Sequence, residues 1–237
     1  MSTDSEPLPE TGQPVGPKVD STPALRPGPV TLQGRFGRVE RLDPVRHGAA
    51  LWDAFERRDE LWTFSSNGPF KDEASFQAWL VERANLADPF YFSIVEPGGR
   101  ALGVATLMEI RPATRVTEVG HIVYGPELQR APLATEAQYL LARYAIEELR
   151  YRRYEWKCHG LNAASRNAAL RLGFTFEGIF RQHLIVKGRT RDTAWFSIVD
   201  SEWPLVRAAF EAWLAPANFD AEGRQKRRLE DIRKTLS

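Results

Sequence analysis

One cysteine (Cys158), two methionines and four histidines are the whole stock of sulfur and imidazole in these 237 residues. A single thiol excludes an intramolecular disulfide framework. His47, His121, His159 and His183 fall at no spacing that reads as a metal site, so no metal is expected. Long apolar runs are also missing, and nothing approaches the roughly 20 residues that cross a bilayer. The opening Met-Ser-Thr-Asp-Ser-Glu-Pro has no basic patch followed by an apolar core, as a secretion signal would. Nor is one sign of charge in excess. The 32 Lys and Arg against 31 Asp and Glu give a net charge of +1, so no global field argues for a nucleic-acid or membrane partner. These absences together lead us to expect a cytoplasmic protein.

The composition that remains is ordinary for a soluble globular chain, with 43% hydrophobic and 27% charged residues. The length suits one well-buried domain with tails. Residues 1–29 are rich in Pro, Ser, Thr and Gly without apolar periodicity, which reads as a flexible N-terminal arm. Residues 30–214 form the expected domain. Residues 215–237 carry Arg224, Lys226, Arg227, Arg228, Arg233 and Lys234. An anionic docking tail is one reading of them. The preferred one is a basic amphipathic helix with Leu229, Ile232 and Leu236 on one face.

Patterning within the domain predicts a strand over Thr31–Leu42 and a helix from Asp43-Pro44 to about Arg58, with proline just inside its start. A second helix is signalled by Asp72 and Glu73. Strands follow over Phe90–Val95, Ala101–Ile110 and Thr117–Tyr124, joined closely enough for an antiparallel meander. The apolar positions Leu133, Ala137, Leu140, Leu141, Tyr144, Ala145 and Leu149 recur at helical spacing. A strand at Tyr154–Cys158, returning through that helix, would lie parallel to the one before it. A hairpin around Lys187–Arg191 and a helix over Trp203–Leu214 close the domain. The sum is an α+β fold with a mixed central sheet and helices on both faces.

The densest signal is Asn162-Ala-Ala-Ser165 followed by Arg171-Leu-Gly173-Phe174. It sets a polar pair at the mouth of a short helix and ends that helix on a glycine suited to a left-handed stop. With the strand before it, this stretch resembles the C-terminal half of the GNAT superfamily of acyl-CoA-dependent N-acetyltransferases. The resemblance runs from about Thr31 to Trp203 and is nearest to the branch of ribosomal-protein N-terminal (alanine/serine) acetyltransferases.

That resemblance implies a GNAT-like fold, acetyl-CoA as cosubstrate, and transfer of its acetyl (acyl) group to a primary amine by direct attack in a ternary complex. The partner would be a small-molecule amine or a protein N-terminus. The alternative is a non-catalytic acyl-CoA-binding or interaction module with the same fold. Exposed sheet edges leave room for a homodimer.

The cofactor-binding set implied by resemblance is Val123, Arg130, Leu133, Ala134, Thr135, Asn162 and Asn167. GNAT enzymes carry a Gln/Arg-x-x-Gly-x-Gly/Ala pyrophosphate loop, which here reads Gln129…Pro132…Ala134. Proline in place of the central glycine removes a donor, and Arg130 is the natural compensation. Many members place a tyrosine acid four residues after the serine; Ala169 stands there, which leaves Ser165 as the local acid candidate. Glu118 is the base candidate, on the strand that often supplies a glutamate working through water. His121, three residues on, faces the other side of an ideal strand unless Gly120 marks a bulge. Trp52, Trp62, Phe64, Tyr124, Arg181 and Trp195 are candidate walls of the acceptor pocket.

Overall fold

The structure is a computed structural model describing Glu6, Pro7 and residues 11–237. The expected flexible arm, 1–29, therefore falls partly outside the described residues. A two-residue ladder joins β1 (Glu6–Pro7) to β2 (Pro14–Val15). From Ala24 the chain is tied to the domain: the Ala24 and Leu25 amides donate to the Pro112 and Leu149 carbonyls.

The expected first strand is a short hairpin, β3 (Thr31–Gln33) and β4 (Arg38–Arg41), because the chain turns between Gly34 and Gly37. α1 (Pro44–Phe55) starts where proline and an N-cap carboxylate coincide, Asp43 accepting from the amides of Val45 and Arg46. It stops short of the expected Arg58, and a 3-10 turn covers Asp59–Trp62. A capping box between Asp72 and Ser75 opens α2 (Glu73–Ala84). The meander follows as β5 (Phe90–Val95), β6 (Ala101–Arg111) and β7 (Val116–Tyr124). α3 (Pro132–Arg143) runs into a single π turn, Tyr144–Glu148, and leads to β8 (Arg153–His159). α4 (Ala163–Leu172) precedes the long hairpin of β9 (Thr175–Val186) and β10 (Arg189–Val199). α5 (Trp203–Leu214) and α6 (Leu229–Leu236) complete the chain.

Among the described residues eight strands form one sheet in the order β3-β4-β5-β6-β7-β8-β10-β9, in which β7–β8 is the parallel pair. One face buries Tyr91, Val95, Val104 and Val123 against α1 and α2. The other buries Phe92, Leu107, Val119, Tyr154, Trp156 and Phe196 against α3, α5 and α6. The C-terminal segment contributes Leu229 and Ile232 to that core, and Arg233 donates to the carbonyls of Leu170 and Arg171 at the end of α4. Among the described residues no helix is long and apolar enough to cross a membrane.

Gly173 ends α4 in the left-handed region, at φ 102°. A Cβ there would also lie 3.1 Å from both Val206 methyls. Gly173→Ala should lower unfolding stability by about 1–2 kcal/mol, read as an earlier denaturant midpoint at unchanged slope.

Candidate active site

The sheet opens where its parallel pair comes apart. β7 and β8 are in register from Val116↔Arg153 to Val119↔Trp156 and no further. Beyond that point β7 pairs with β6 alone and β8 with β10 alone, so a cleft opens beside residues 120–124 and 157–159. Strand backbone facing this cleft has no neighbouring ladder, and an amide-bearing chain can supply one.

A bulge lies on the rim. Val104 faces Val123 and Thr106 faces Gly120, so His121 and Ile122 together oppose Ala105. His121 takes a φ of 44° to accommodate it. The bulge resets the alternation that would otherwise part Glu118 from His121, and both side chains lie on the α1–α2 face. Gly120 keeps the space between them open, because a Cβ there would run into Met108 and crowd the Glu118 carboxylate.

Glu118 stands one residue before the strands separate. It is 6% exposed, and its Oε2 lies 2.9 Å from Lys157 Nζ. That ammonium also lies 3.0 Å from Glu155 Oε2 and 4.1 Å from the centre of the Trp195 ring. Glu155 is the register partner of Glu118 and is held further by Arg111 at 2.7 Å and Arg153 at 2.7 Å. These carboxyls behave differently. Burial pushes Glu118 up to about 7, against the Lys157 charge and hydrogen bond that pull it down. Burial also acts on Glu155, but hydrogen bonds from Arg153 and Lys157 outweigh it and keep its pKa below the ordinary carboxylate value. Two facing carboxyls thus come apart into a permanent anion and a group that titrates near neutrality.

His121 is a neutral ring. Burial first, then the charges of Arg83 and Arg191, push it down to about 4. Its Nδ1 lies 2.8 Å from the hydroxyl of the fully buried Tyr91. Burial raises the Tyr91 pKa, so that hydroxyl stays protonated and donates to Nδ1. The ring proton is left on Nε2, which makes His121 a donor rather than a base.

Across the cleft, Asn162 caps α4 by accepting from the Ser165 amide at 3.0 Å. Ser165 Oγ accepts from Trp156 Nε1 at 3.0 Å, leaving its own hydrogen free to donate. The Cys158 sulfur lies beside it, and burial raises the Cys158 pKa despite the Ser165 hydroxyl. Such a thiol is a poor nucleophile. Asn167 is exposed further along α4.

α3 begins without a side-chain cap. Ala131 is its N-cap, Pro132 has no N–H, and the Arg130 and Leu133 amides have no partner among the described residues. Arg130 adopts φ 64° and its exposed side chain makes no ion pair among the described residues. Free amides, the positive end of a 12-residue helix and a guanidinium suit an anion despite the proline. Leu133 is buried, Ala134 is half-buried, and Thr135 Oγ1 accepts from Arg171 at 3.0 Å, which ties α3 to α4. Val123 is buried on β7 at the edge of the cleft.

Of the expected wall residues, Trp62 is core, packed edge-on against Phe55, Phe70 and Trp79. Trp52 packs on Phe76 with the rings tilted by 40°, and the Tyr124 hydroxyl accepts from Gln138 at 2.5 Å. Phe64 meets His159 at 5.2 Å, and Lys187 donates to the Trp62 carbonyl, so the β9–β10 hairpin reaches over to the segment after α1. Trp195 packs on Phe180 at 4.5 Å, beside an open groove of about 620 Å³ lined by Phe180–His183, Arg181 included. Lys157, Glu155, Tyr91 and Arg191 escaped sequence reasoning. The alternation of Arg153, Glu155 and Lys157 with Tyr154, Trp156 and Cys158 carried the signal for the first two. Among the described residues no three His, Cys, Asp or Glu side chains gather as metal ligands.

A family model described as an acetyltransferase (GNAT) domain matches residues 41–175. The Bacillus subtilis protein named "Putative ribosomal N-acetyltransferase YdaF" is 30% identical over 153 residues, 62% of this chain and 81% of its own. The solved structure of a GCN5-related N-acetyltransferase from Brucella melitensis is 44% identical, with a TM-score of 0.88 over 91% of this chain and 99% of that one. A GNAT-family structure from Chromobacterium violaceum is 39% identical, with a TM-score of 0.76 over 81% of this chain and 98% of that one.

Proposed function

Because this chain belongs to the GNAT acetyltransferases, enzymes of acyl transfer from acetyl-CoA, we propose that its acceptor is the α-amine at the N-terminus of a peptide. The observation that carries this reading is Glu118, a buried carboxyl held near 7 where the parallel strands part. An α-amine, with a pKa of about 7.7–8.0, needs only a base of that strength, whereas a lysine side chain at about 10.4 needs a far stronger one. The Bacillus relative, named for ribosomal N-acetylation, points the same way.

In this reading Glu118 takes the amine proton, directly or through one water. His121 Nε2–H and the free backbone of β7 orient the acyl carbonyl. Ser165 donates its hydroxyl hydrogen toward the departing thiolate, with Trp156 holding its oxygen. The start of α3, with Arg130, Leu133, Ala134 and Thr135, would hold the diphosphate of acetyl-CoA, while Val123, Asn162 and Asn167 would line its arm. Attack is direct, supported by the buried, high-pKa state of Cys158. We also place the protein in the cytoplasm, where that cosubstrate is made and used.

The test is thiol release from acetyl-CoA with short peptides bearing a free or a blocked α-amine. Turnover should require the free α-amine and should rise through about pH 7. Equal turnover of blocked peptides carrying a lysine would overturn the reading. Arg130→Ala should weaken CoA binding roughly 3- to 10-fold in calorimetry, more at low salt than at high. An affinity insensitive to both the substitution and salt would remove Arg130 from the diphosphate site.

A further inference from the structure

The acceptor side of the cleft holds more cationic and donor capacity than the chain itself uses. Arg191 is half-buried on β10, and burial lowers its pKa. Its one hydrogen bond runs from Nε to Thr193 Oγ1 at 3.2 Å. Neither Nη group has an acceptor, and no carboxylate pairs with it among the described residues. The contrast with its neighbours is sharp: Arg111 and Arg153 each hold Glu155 at 2.7 Å, and Lys157 bridges Glu118 and Glu155.

Its position is tied to the reaction site. The Arg191 charge bears on Glu118, His121 and Cys158, which lie on the rims of the opened strand pair. The Nε bond folds the side chain back along β10 toward Thr193, which faces His159 at the end of β8. A further irregularity sits beside it. Arg191 pairs with Leu184 and Thr193 with Phe180, so Asp192 alone opposes residues 181–183. Asp192 turns away to accept from the Gln182 amide at 2.7 Å, so the nearest carboxylate in sequence is spent on backbone. The groove lined by Phe180–His183 opens at this point. Trp195, two residues on from Thr193, has a buried indole N–H with no acceptor. An unpaired guanidinium end thus stands within reach of the Glu118 charge. Such a pocket repels a bare ammonium and favours an amine that brings its own negative charge.

We propose that the acceptor carries a carboxylate close to the reacting amine, and that Arg191 binds it through its two free Nη groups. The inference rests on the acyl-transfer reading of the same cleft. One chemistry has two sources: an acidic side chain at the first or second residue of a peptide, or the α-carboxylate of a free amino acid. The first follows from the proposed peptide acceptor.

The experiment measures kcat/KM for thiol release with two matched series. One contrasts peptides having Asp or Glu at the first two positions with the same peptides having Asn or Gln. The other contrasts free amino acids with their amides. The acid should be favoured about tenfold or more, chiefly through KM, as a charge-assisted bidentate contact implies. Arg191→Gln should collapse that ratio toward one, and Arg191→Lys should restore part of it. The wild-type ratio needs no variant, so a poorly folding Arg191→Gln leaves the test intact.

Transfer with no acid preference, or a preference that survives Arg191→Gln, overturns the inference and spares the acyl-transfer reading. A preference confined to free amino acids upholds the carboxylate contact and overturns the peptide acceptor. No transfer to any member of either series overturns both.

Discussion

Glu118→Gln is expected to lower kcat by roughly 10²–10⁴-fold and to make the protein more stable above pH 7, with acetyl-CoA affinity unchanged. Glutamine keeps the shape of the carboxyl and an oxygen for Lys157, but it cannot accept the amine proton. The remaining rate should lose the rise centred near 7 and keep only that of the amine itself. Stability moves the other way because the folded chain holds this carboxyl at about 7, above its ordinary 4.5. Between those values the folded state binds more protons than the unfolded one, so unfolding free energy falls as pH rises through that window. Above pH 7 the cost levels off at roughly 3 kcal/mol at most, and Glu118→Gln removes it. Melting at pH 5 and pH 8 gives the check. The variant should gain on the wild type at the higher pH and little at the lower. An unaltered pH–rate curve would move the base to another residue, and equal melting gains at both pH values would refute the buried, titrating carboxyl.

The fold was legible because its elements punctuate themselves. Asp43-Pro44, Asp72 with Ser75, and Asn162 with Gly173 each satisfy a helix end locally, so the starts of α1, α2 and α4 could be read residue by residue. α5 ran over Trp203–Leu214 as expected. The misreadings were of joints between elements. Thr31–Leu42 looked like one strand because a tight turn at Gly34–Gly37 interrupts the pattern for only a few residues. The helical spacing after β7 ran on to Leu149, but the α-helix ends at Arg143 and a π turn covers Tyr144–Glu148, and such a turn leaves helical spacing nearly intact.

The site divides along the same line. Glu118 could be singled out as a candidate because it lies on a strand just before a helix junction. The alternation along 153–158 marked Glu155 and Lys157 as sharing a face, but not that this face meets Glu118, because that meeting is set by register between strands distant in sequence. Lys157 reaches Glu118 because Glu155 is in register with Glu118 and side chains two apart share a face. Arg191 arrives from a strand whose bulge carries no local mark in composition. His121 was the undecided case: periodicity put it across the sheet, and the bulge returned it to the Glu118 side.

Lys157→Met should carry the second large effect, on function and stability together. The charge and hydrogen bond of the ammonium pull the Glu118 pKa down, against burial and the charges of Glu155 and Glu109. Without it the carboxyl should titrate above 7, so the rising limb of the pH–rate profile should move to higher pH. Activity at pH 7 should fall severalfold while much of the rate returns near pH 9. Stability should drop by about 2–4 kcal/mol at pH 8, where a buried carboxylate is left without its partner, and by less at pH 5.5, where Glu118 is protonated. Glu155 limits the damage, since Arg111 and Arg153 still hold it.

The double variant with Glu118→Gln separates the causes. If Lys157 acts through Glu118, the second substitution should cost less at pH 8 in the Gln background than alone, with a coupling of about 1–3 kcal/mol. It should also leave the residual rate nearly independent of Lys157. Strict additivity, or a limb that stays in place in Lys157→Met, would mean that the ammonium serves Glu155 and the packing against Trp195. The proton would then leave the amine by a route that does not pass through Glu118.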